Sequence, residues 1–376
     1  IHKVLFDDID SISSPVDQVT IDLQKGRIAF PKKQCPDSVI ANFYQGAVIP
    51  LGVSAASTDD KAASESDDWK CGIRSQVQDK NATHDYPCFS SIDEALEYWN
   101  KFEAQRPATL YILDSARYSV SKDKCQLNSS ICIQAQYQCT PSIEFDAELS
   151  LPQNVGLRLK GLVISKPLHL VDSQGRLQLI KCSFNPKHVS IHSKNDAPSI
   201  YMNHCVTGPL QIGSDAELSI KNCAILADNR QISIGHHQNG EAIGPNITDI
   251  QRCTILGAVH SNTLLRAQNT LFIGPLYVRF GNPSVEYSVL PSRSNIKVEN
   301  TCIQDTHAIF VSRDYGSPSF LLLDPRSSER ILTGSSNDGE IGVGWKLHHR
   351  FREKVWQKMI DTYCPVNIDP ALHQII

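Results

Sequence analysis

The sequence offers little to several large classes of function. Across 376 residues aromatic side chains make up 7%, and net charge at neutral pH is only −4. Lys and Arg are scattered, so neither nucleic acid nor an anionic membrane surface meets a basic footprint. No apolar run approaches the roughly 18 residues a membrane-spanning helix needs, which argues against insertion. There is no Gly-x-Ser-x-Gly elbow and no phosphate-binding glycine loop, so the signatures of acyl transfer and nucleotide chemistry are missing. The chain opens Ile1-His2 without an initiating Met, as a processed chain or a piece of a longer one does.

What is present is one short phrase written five times. It reads Leu177-x-Leu179-x-x-Cys182-x-Phe184, Ile200-x-Met202-x-x-Cys205, Leu218-x-Ile220-x-x-Cys223-x-Ile225, Thr248-x-Ile250-x-x-Cys253-x-Ile255 and Leu264-x-Arg266-x-x-Asn269-x-Leu271. Apolar residues at alternate positions, then a small polar residue, then apolar character again describe a strand, a corner and the next strand. The markers Cys182, Cys205, Cys223, Cys253 and Asn269 lie 23, 18, 30 and 16 residues apart, which brackets one coil of a β-solenoid. In such a coil each strand pairs with its counterpart one coil earlier, about 4.8 Å away. The marker column then forms a structural ladder, inward or at a corner. Small soft side chains suit a tight bend; a disulfide ladder or a metal site are the alternatives.

In chain order, residues 1 to 53 read as an N-terminal β unit. Val19-Thr-Ile-Asp22 and Arg27-Ile-Ala-Phe-Pro31 flank the turn Lys25-Gly26 as a hairpin, and Val39 to Tyr44 supplies a third strand. Residues 54 to 90 read as a polar linker, since 54 to 68 hold no apolar side chain larger than Ala. Ser91-Ile-Asp-Glu94 is a capping box that opens a helix to about Gln105, with Ile92, Ala95, Leu96, Trp99 and Phe102 on one face. This helix is assigned as the cap of a parallel β-helix over 91 to 311, because an open first coil exposes core and unpaired strand groups.

Further strands are expected at Thr109 to Leu113, Tyr118 to Val120, Ser130 to Gln134, Ser142 to Phe145, Gly156 to Leu159, Leu162 to Ile164 and Leu168 to Val171. Gly161, Gly175, Gly208, Gly213, Gly257 and Gly274 fall at corners expected to need positive φ. Roughly eight to ten coils give a rod on the order of 40 to 50 Å long. Residues 312 to 376 form a C-terminal loop and helix region: a turn-rich loop to Pro318, an apolar strand Phe320 to Leu323, a glycine-rich polar loop over 334 to 344, and a helix from Trp345 to Tyr363.

Twelve cysteines and the sequons at Asn81, Asn128 and Asn246 point to an extracellular protein. Cys71, Cys88, Cys125, Cys132 and Cys139 fall in polar, loop-like sequence and read as disulfide partners, with coil-corner stacking or a ligand role the alternatives for Cys125, Cys132 and Cys139, spaced seven apart; the later cysteines look like core.

Three pieces carry a resemblance. Val19-Thr-Ile-Asp-Leu-Gln-Lys-Gly-Arg-Ile-Ala-Phe-Pro31 with Val39 to Gly46 is the first. Gly208-Pro-Leu-Gln-Ile212 with Ile250 to Val259 is the second. Ser312-Arg-Asp-Tyr-Gly-Ser-Pro318 with Asn337-Asp-Gly-Glu-Ile-Gly-Val343 is the third. In this order they resemble bacterial right-handed β-helix proteins encoded with phage-tail-like and contractile injection system genes. The chain departs from that pattern at Gln45 to Gly52, where the family carries a glycine triplet, and at Gly316-Ser-Pro318, where it carries Gly-Asp-Pro. The resemblance implies a particle-associated structural or surface-binding part.

For chemistry of its own, a β-helix glycosidase needs carboxylates converging from neighbouring coils, about 5 to 9.5 Å apart. The candidates are Asp215, Glu217, Asp228, Glu241 and Asp249, with Arg230 beside Asp228 as the basic residue a lyase would use. His236-His237 and the separate His188, His192, His204 and His260 lack ligand spacing, so a surface loop is the expected setting rather than zinc.

The expectation is an all-β protein: a single-stranded right-handed parallel β-helix (solenoid) with an N-terminal β unit, a helical cap and a C-terminal loop-helix region. Its expected role is non-catalytic, as a spike-like or fibre-like structural or surface-recognition component of an extracellular or particle-associated assembly. A carbohydrate-active β-helix enzyme and a self-assembling filament or adhesin subunit are the alternatives. No cofactor, metal or nucleic acid is implied. The partners are protein subunits, itself included, and a surface glycan. Assembly contacts are assigned to Tyr315, Asp338, Glu340 and Trp345, and the loop from Ala227 to Asn246 is expected to face outward.

Overall fold

The computed structural model describes residues 4–6, 19–22, 27–29, 51–52, 68–75, 86–103, 106–121, 127–194, 196–227, 231–297, 301–304, 308–317, 319–346 and 348. The architecture is an all-β parallel solenoid. Its first sheet runs from Trp69–Ile73 through Ala108–Ile112, Ile131–Ala135, Gly156–Lys160, Arg176–Ile180, Ser199–Asn203, Glu217–Lys221, Asn246–Gln251 and Arg266–Gln268 to Ser284–Glu286. Each strand is parallel to the one before. A second, 8-stranded sheet stacks Arg117–Val120 through Leu271–Phe272. A third runs from Leu168–His169 to Leu276–Phe280 and joins the first where Ala258–Leu264 pairs with Asn246–Gln251.

The strand period places like residues on like. Leu110, Ile133, Leu159, Leu179, Met202 and Ile220 are in register and almost fully buried, as are Ile143, Ile164, Phe184, Ile225 and Ile255 on the second sheet. All belong to one continuous core. Each Leu or Ile so buried contributes on the order of 1.5–3 kcal/mol.

The corner between the first and second sheets accounts for the repeated phrase. It turns through one residue in the left-handed region, successively Lys181, His204, Asn222, Arg252, Asn269 and Tyr287, with φ from 49° to 55°. Such a conformation costs an L-residue roughly 1–2 kcal/mol. Its N–H donates to the next coil, as Lys181 does to the Asn203 carbonyl at 2.8 Å. The residue after it points inward and donates back to the backbone: Cys182 Sγ to the Leu159 and Ile180 carbonyls, Cys205 Sγ to those of Leu179 and Asn203, Cys253 Sγ to that of Gln251.

In the next coils the same place is taken by Thr270 and Ser288, whose hydroxyls donate to the Gln268 and Glu286 carbonyls at 3.0 and 2.8 Å. Asn269 is therefore not a rung of this column. Ile250 pairs with Ala267 rather than Arg266, so Asn269 is the left-handed corner residue and Thr270 the rung. Burial pushes the Cys253 thiol up to about 12, and those of Cys182 and Cys205 also well above the ordinary thiol value, so the cysteines serve as protonated donors.

Several expectations are corrected. The stretch 54 to 90 is not all linker, because Trp69–Ile73 and Cys88–Phe89 pair within the first sheet; residues 54–67 and 76–85 lie outside the described residues. Cys71 and Cys132 accordingly sit in strands, and Cys71, Cys88, Cys132 and Cys139 form no disulfide, nor do Cys182, Cys205, Cys223, Cys253 and Cys302. Cys125 lies outside the described residues. Of the corner glycines, Gly161 and Gly257 take positive φ. At Gly208 the reason for glycine is space, since a Cβ there would stand 2.0 Å from the His188 carbonyl of the coil below.

The helix Ile92–Phe102 begins at Ser91, whose Oγ accepts the Glu94 N–H at 3.1 Å. The Glu94 carboxylate completes the cap on Ser90, one residue earlier than a standard capping box, taking its N–H and O–H at 3.0 and 2.8 Å. Ile92, Ala95, Leu96 and Trp99 are buried in the main core. Phe102, expected on that face, is 58% exposed. The helix's last turn carries it past the core.

At the N-terminus, Val19–Asp22 pairs antiparallel with Arg27–Ala29 as the hairpin requires, and parallel with Val4–Phe6; Val39 to Tyr44 lies outside the described residues. At the other end, residues 308–317 and 319–346 lie as a strap along the outer face of the second sheet. Phe320, Leu321 and Val343 pack on Val206, Ala224 and Leu256, while Leu323, Ile331 and Ile341 pack with Leu271 and Val289. The Gly342 N–H donates to the Asn269 carbonyl and the Val343 N–H to Thr254 Oγ1.

Phe320 to Leu323 is not a strand: Leu321 has φ 56° and only single bridges form at Phe320 and Leu323. The loop over 334 to 344 is glycine-rich but largely buried, and a short helix, Glu329–Thr333, precedes it. Of the expected helix from Trp345 to Tyr363, Trp345, Lys346 and His348 are described, in turn and irregular structure; the rest lies outside the described residues.

Candidate functional site

The outer face of the first sheet is polar and lies opposite the core row. On three successive strands Arg176, Ser199 and Glu217 form one column, and Gln178, Tyr201 and Ser219 form the next. The following strand breaks the register. Leu218 pairs with Ile247 but Ser219 with Asp249, so Thr248 is an extra residue, a β-bulge. Thr248 Oγ1 donates to the Leu218 carbonyl at 3.3 Å. With small side chains at Ser199 and Ser219 and long ones around them, the sheet surface sinks into an open depression of about 220 Å³. The Tyr201 phenol, whose pKa partial burial raises, is a neutral ring at its edge.

Beside the depression, Asp249 is the centre of an ion network. Its carboxylate accepts from Lys221 Nζ at 3.2 Å, from Arg266 Nη2 at 3.2 Å and Nε at 3.3 Å, and from Gln251 Nε2 at 2.8 and 3.0 Å. Partial burial by itself would raise its pKa; the hydrogen bonds from Arg266, Lys221 and Gln251 outweigh that and hold the carboxyl below the usual range. Similar links join other coils: Arg158 Nε to Gln178 Oε1 at 2.7 Å, Asn222 Nδ2 to Asn203 Oδ1 at 2.8 Å and Gln268 Nε2 to Glu286 Oε2 at 3.4 Å. The face is a set of side chains held by their neighbours.

Of the five candidate acids, Glu217 and Asp249 stand on this face, on neighbouring strands and two register positions apart. Asp215 lies exposed in the turn before Glu217, and its nearest side-chain partner is Ser214. Glu241 stands on a separate outward hairpin, His236–Gln238 with Glu241–Ile243, turned by Asn239-Gly240 with φ 51° and 84°. The Asn-Gly pair was the available signal for that hairpin. Asp228 and Arg230 lie outside the described residues, as does the start of the Ala227 to Asn246 loop beyond Ala227.

The histidines do not converge on a metal: among the described residues no group of three or more His, Cys, Asp or Glu has metal-holding geometry. His236 is buried with Nδ1 3.3 Å from the Ile212 carbonyl, while His237 is exposed. On the third sheet His169 stacks on His192 at 4.5 Å, and His260 on Tyr277 at 4.8 Å. His204 is a corner residue, and His188 is exposed.

The assigned assembly contacts separate into two kinds. Tyr315, 45% exposed and edge-on to Phe320, and Asp338 are at the surface. Glu340, 2% exposed, and Trp345, half-buried with the Arg252 guanidinium 4.7 Å over its ring, are engaged within the chain and are withdrawn as contacts to another molecule. Of the described sequons, Asn128 is exposed, while Asn246 lies in a strand and accepts from Thr263 Oγ1 at 3.0 Å. Comparison with protein-family models, curated proteins and solved structures found no match.

Proposed function

We propose that the chain is a right-handed, single-stranded parallel β-helix, closed at its N-terminal end by the helix Ile92–Phe102, that acts as a non-catalytic surface-recognition rod. The observation that carries this reading is the outer face of the first sheet. Its long polar side chains are tied to one another across coils, as in Lys221, Asp249 and Arg266 or Arg158 and Gln178. Side chains already ordered lose little further freedom on binding, which is the property of a recognition surface. The cap reading is supported by Leu96, which is buried in the same core as Val120, Leu127, Ile131 and Phe145 and lines a small apolar void with them.

The runner-up is a carbohydrate-active enzyme using Glu217 and Asp249. General acid catalysis at neutral pH wants a carboxyl whose pKa is raised. At Asp249 it is lowered, so Asp249 is not the acid, and hydrogen bonds from Arg266, Lys221 and Gln251 occupy the lone pairs a nucleophile or base would use, which favours a structural ion network. Incubation with polysaccharides and assay for new reducing or unsaturated ends tests this directly; turnover abolished by Glu217→Gln would replace the non-catalytic reading.

The assembly is proposed to be phage-tail-like or otherwise extracellular, on the strength of the motif resemblance. Native protein isolated under mild conditions, with mass spectrometry of co-purifying proteins and negative-stain images, tests it. Sheath, tube or baseplate proteins in the eluate support the tail-like placement. A protein that elutes alone, or as filaments of itself, overturns it.

A further inference from the structure

The depression on the first sheet has the chemistry of a sugar subsite. Its origin is specific: the extra residue Thr248 shifts the register of one strand against Glu217–Lys221 and opens the surface at that point of the face. Its floor is small at Ser219. Its rim carries one cation, Arg176, one anion, Glu217, an amide, Gln178, and one aromatic ring, Tyr201. Opposite charges on one rim disfavour a phosphate, sulfate or nucleic-acid strand, since Glu217 repels what Arg176 attracts. They suit a neutral ligand rich in hydroxyls, each of which both donates and accepts.

Tyr201 adds an apolar face with a polar tip, on which the C–H face of a pyranose can lie while its hydroxyls reach the rim. A volume of about 220 Å³ is below the range of sites that enclose a drug-sized molecule, about 300–1,000 Å³, and the depression is open rather than closed. It therefore fits one ring of a longer molecule running over the sheet.

We propose that this depression is a subsite for one uncharged pyranose ring of an extended glycan, with Tyr201 as the stacking platform and Arg176, Gln178 and Glu217 as hydrogen-bonding partners. The proposal rests on the surface-recognition reading and names its ligand class. All four side chains point away from the core, so their replacement leaves the solenoid's packing intact.

The test applies the full chain to an array of neutral and uronic-acid-containing oligosaccharides, then titrates the strongest binder in solution. Wild type is expected to select neutral glycans. Tyr201→Ala is expected to weaken binding at least tenfold, and Ser219→Trp, which fills the depression from its floor, to abolish it. Glu286→Gln, on the same face four strands away from Tyr201 and bonded to none of the four binding residues, is expected to change affinity less than twofold. Thermal melts of each variant establish that the fold is kept.

Neutral-glycan binding unaffected by Ser219→Trp would overturn the subsite while leaving the recognition reading in place. Binding of no glycan, or only of uronic-acid glycans, would overturn the subsite as well. Cleavage of a bound neutral glycan that disappears with Ser219→Trp would support the subsite and overturn the non-catalytic reading.

Discussion

The outer faces of the first and second sheets are built on the same coils and have opposite fates. On the first, residues such as Arg176, Gln178, Tyr201 and Glu217 face outward. On the second, Val206, Ala224, Leu256 and Leu271 are buried beneath the strap of residues 308–346, with Leu51 packed alongside. The backbone geometry is shared, so the difference lies in the side-chain pattern. First-sheet strands alternate, as in Glu217-Leu-Ser-Ile-Lys221; so do the first strands of the second sheet, as in Ser142-Ile-Glu-Phe145, whereas a strand beneath the strap reads continuously apolar, as in Ala224-Ile-Leu226. Alternation is the mark of a sheet with one solvated face, and an unbroken apolar run that of a sheet covered on both. A solenoid wall thus carries, in its own residues, whether something lies on top of it.

The largest expected effect removes the comparison altogether by destroying the wall behind the polar face. Ile220 is fully buried and in register with Met202 and Ile250. Ile220→Asp places an unpaired charge in the core at a cost of about 4 kcal/mol or more, and the middle coils are expected to unfold. Circular dichroism melts near those of wild type would defeat the inward assignment.

A smaller effect should separate the two faces. Gly342 has φ 109°, and a Cβ there would meet Thr254 Oγ1 at 2.5 Å, so Gly342→Val is expected to lift the strap at a cost of roughly 2–4 kcal/mol. Limited proteolysis should then cut within 308–346 sooner than in wild type, while the solenoid persists. Equal protease resistance would mean that the strap does not depend on this close approach.

On the polar face the effects are smaller and depend on pH. Asp249 has its folded pKa lowered below the ordinary value near 3.8, through Arg266, Lys221 and Gln251 against the contrary push of burial. The network's contribution is therefore present above about pH 4 and lost as pH falls through the folded pKa. Asp249→Asn leaves Lys221 and Arg266 without their anion and is expected to cost about 1 kcal/mol at pH 7. The gap between variant and wild type should shrink as pH is lowered towards 3; a gap independent of pH would show that the carboxylate's charge is not what matters. By contrast, Tyr201→Ala should leave the melting temperature within a few degrees of wild type, because Tyr201 stands at an outward, only partly buried position of its strand.

Much of this was legible in the sequence, for physical reasons that also explain the rest. The period-2 phrase located the strands of the middle coils because burial on the core side is strict there. The fifth phrase was misread by one residue because the left-handed corner accepts many side chains, Lys181, His204, Arg252 and Tyr287 among them, so that Asn269 looked like the marker that Thr270 is. Trp69–Ile73 was lost in a polar neighbourhood whose composition outweighed five residues of strand. The strap was illegible as such, since Phe320 to Leu323 is apolar without any period, and its partner surface is distant in sequence. The depression depends on one inserted residue, Thr248, which disturbs register without disturbing the apolar pattern.

The corner column supplies the smallest and sharpest test. Its rungs Cys182, Cys205, Cys223 and Cys253 give way to Thr270 and Ser288, so what the coils share is a small inward donor to a strand-end carbonyl, not a thiol. Cys205 Sγ lies 3.3 Å from the Leu179 carbonyl and 3.4 Å from that of Asn203. Cys205→Ser keeps a donor there and, with the smaller oxygen, is expected to change stability by less than about 1 kcal/mol. Cys205→Val has similar bulk but no donor, and leaves two buried carbonyls with one partner fewer at a corner already held by His204 at φ 55°; about 1–2 kcal/mol of destabilisation is expected. Chemical denaturation of both variants measures the difference. If Val is tolerated better than Ser, packing rather than hydrogen bonding selects the residue after each left-handed corner, and the column is an apolar ladder after all.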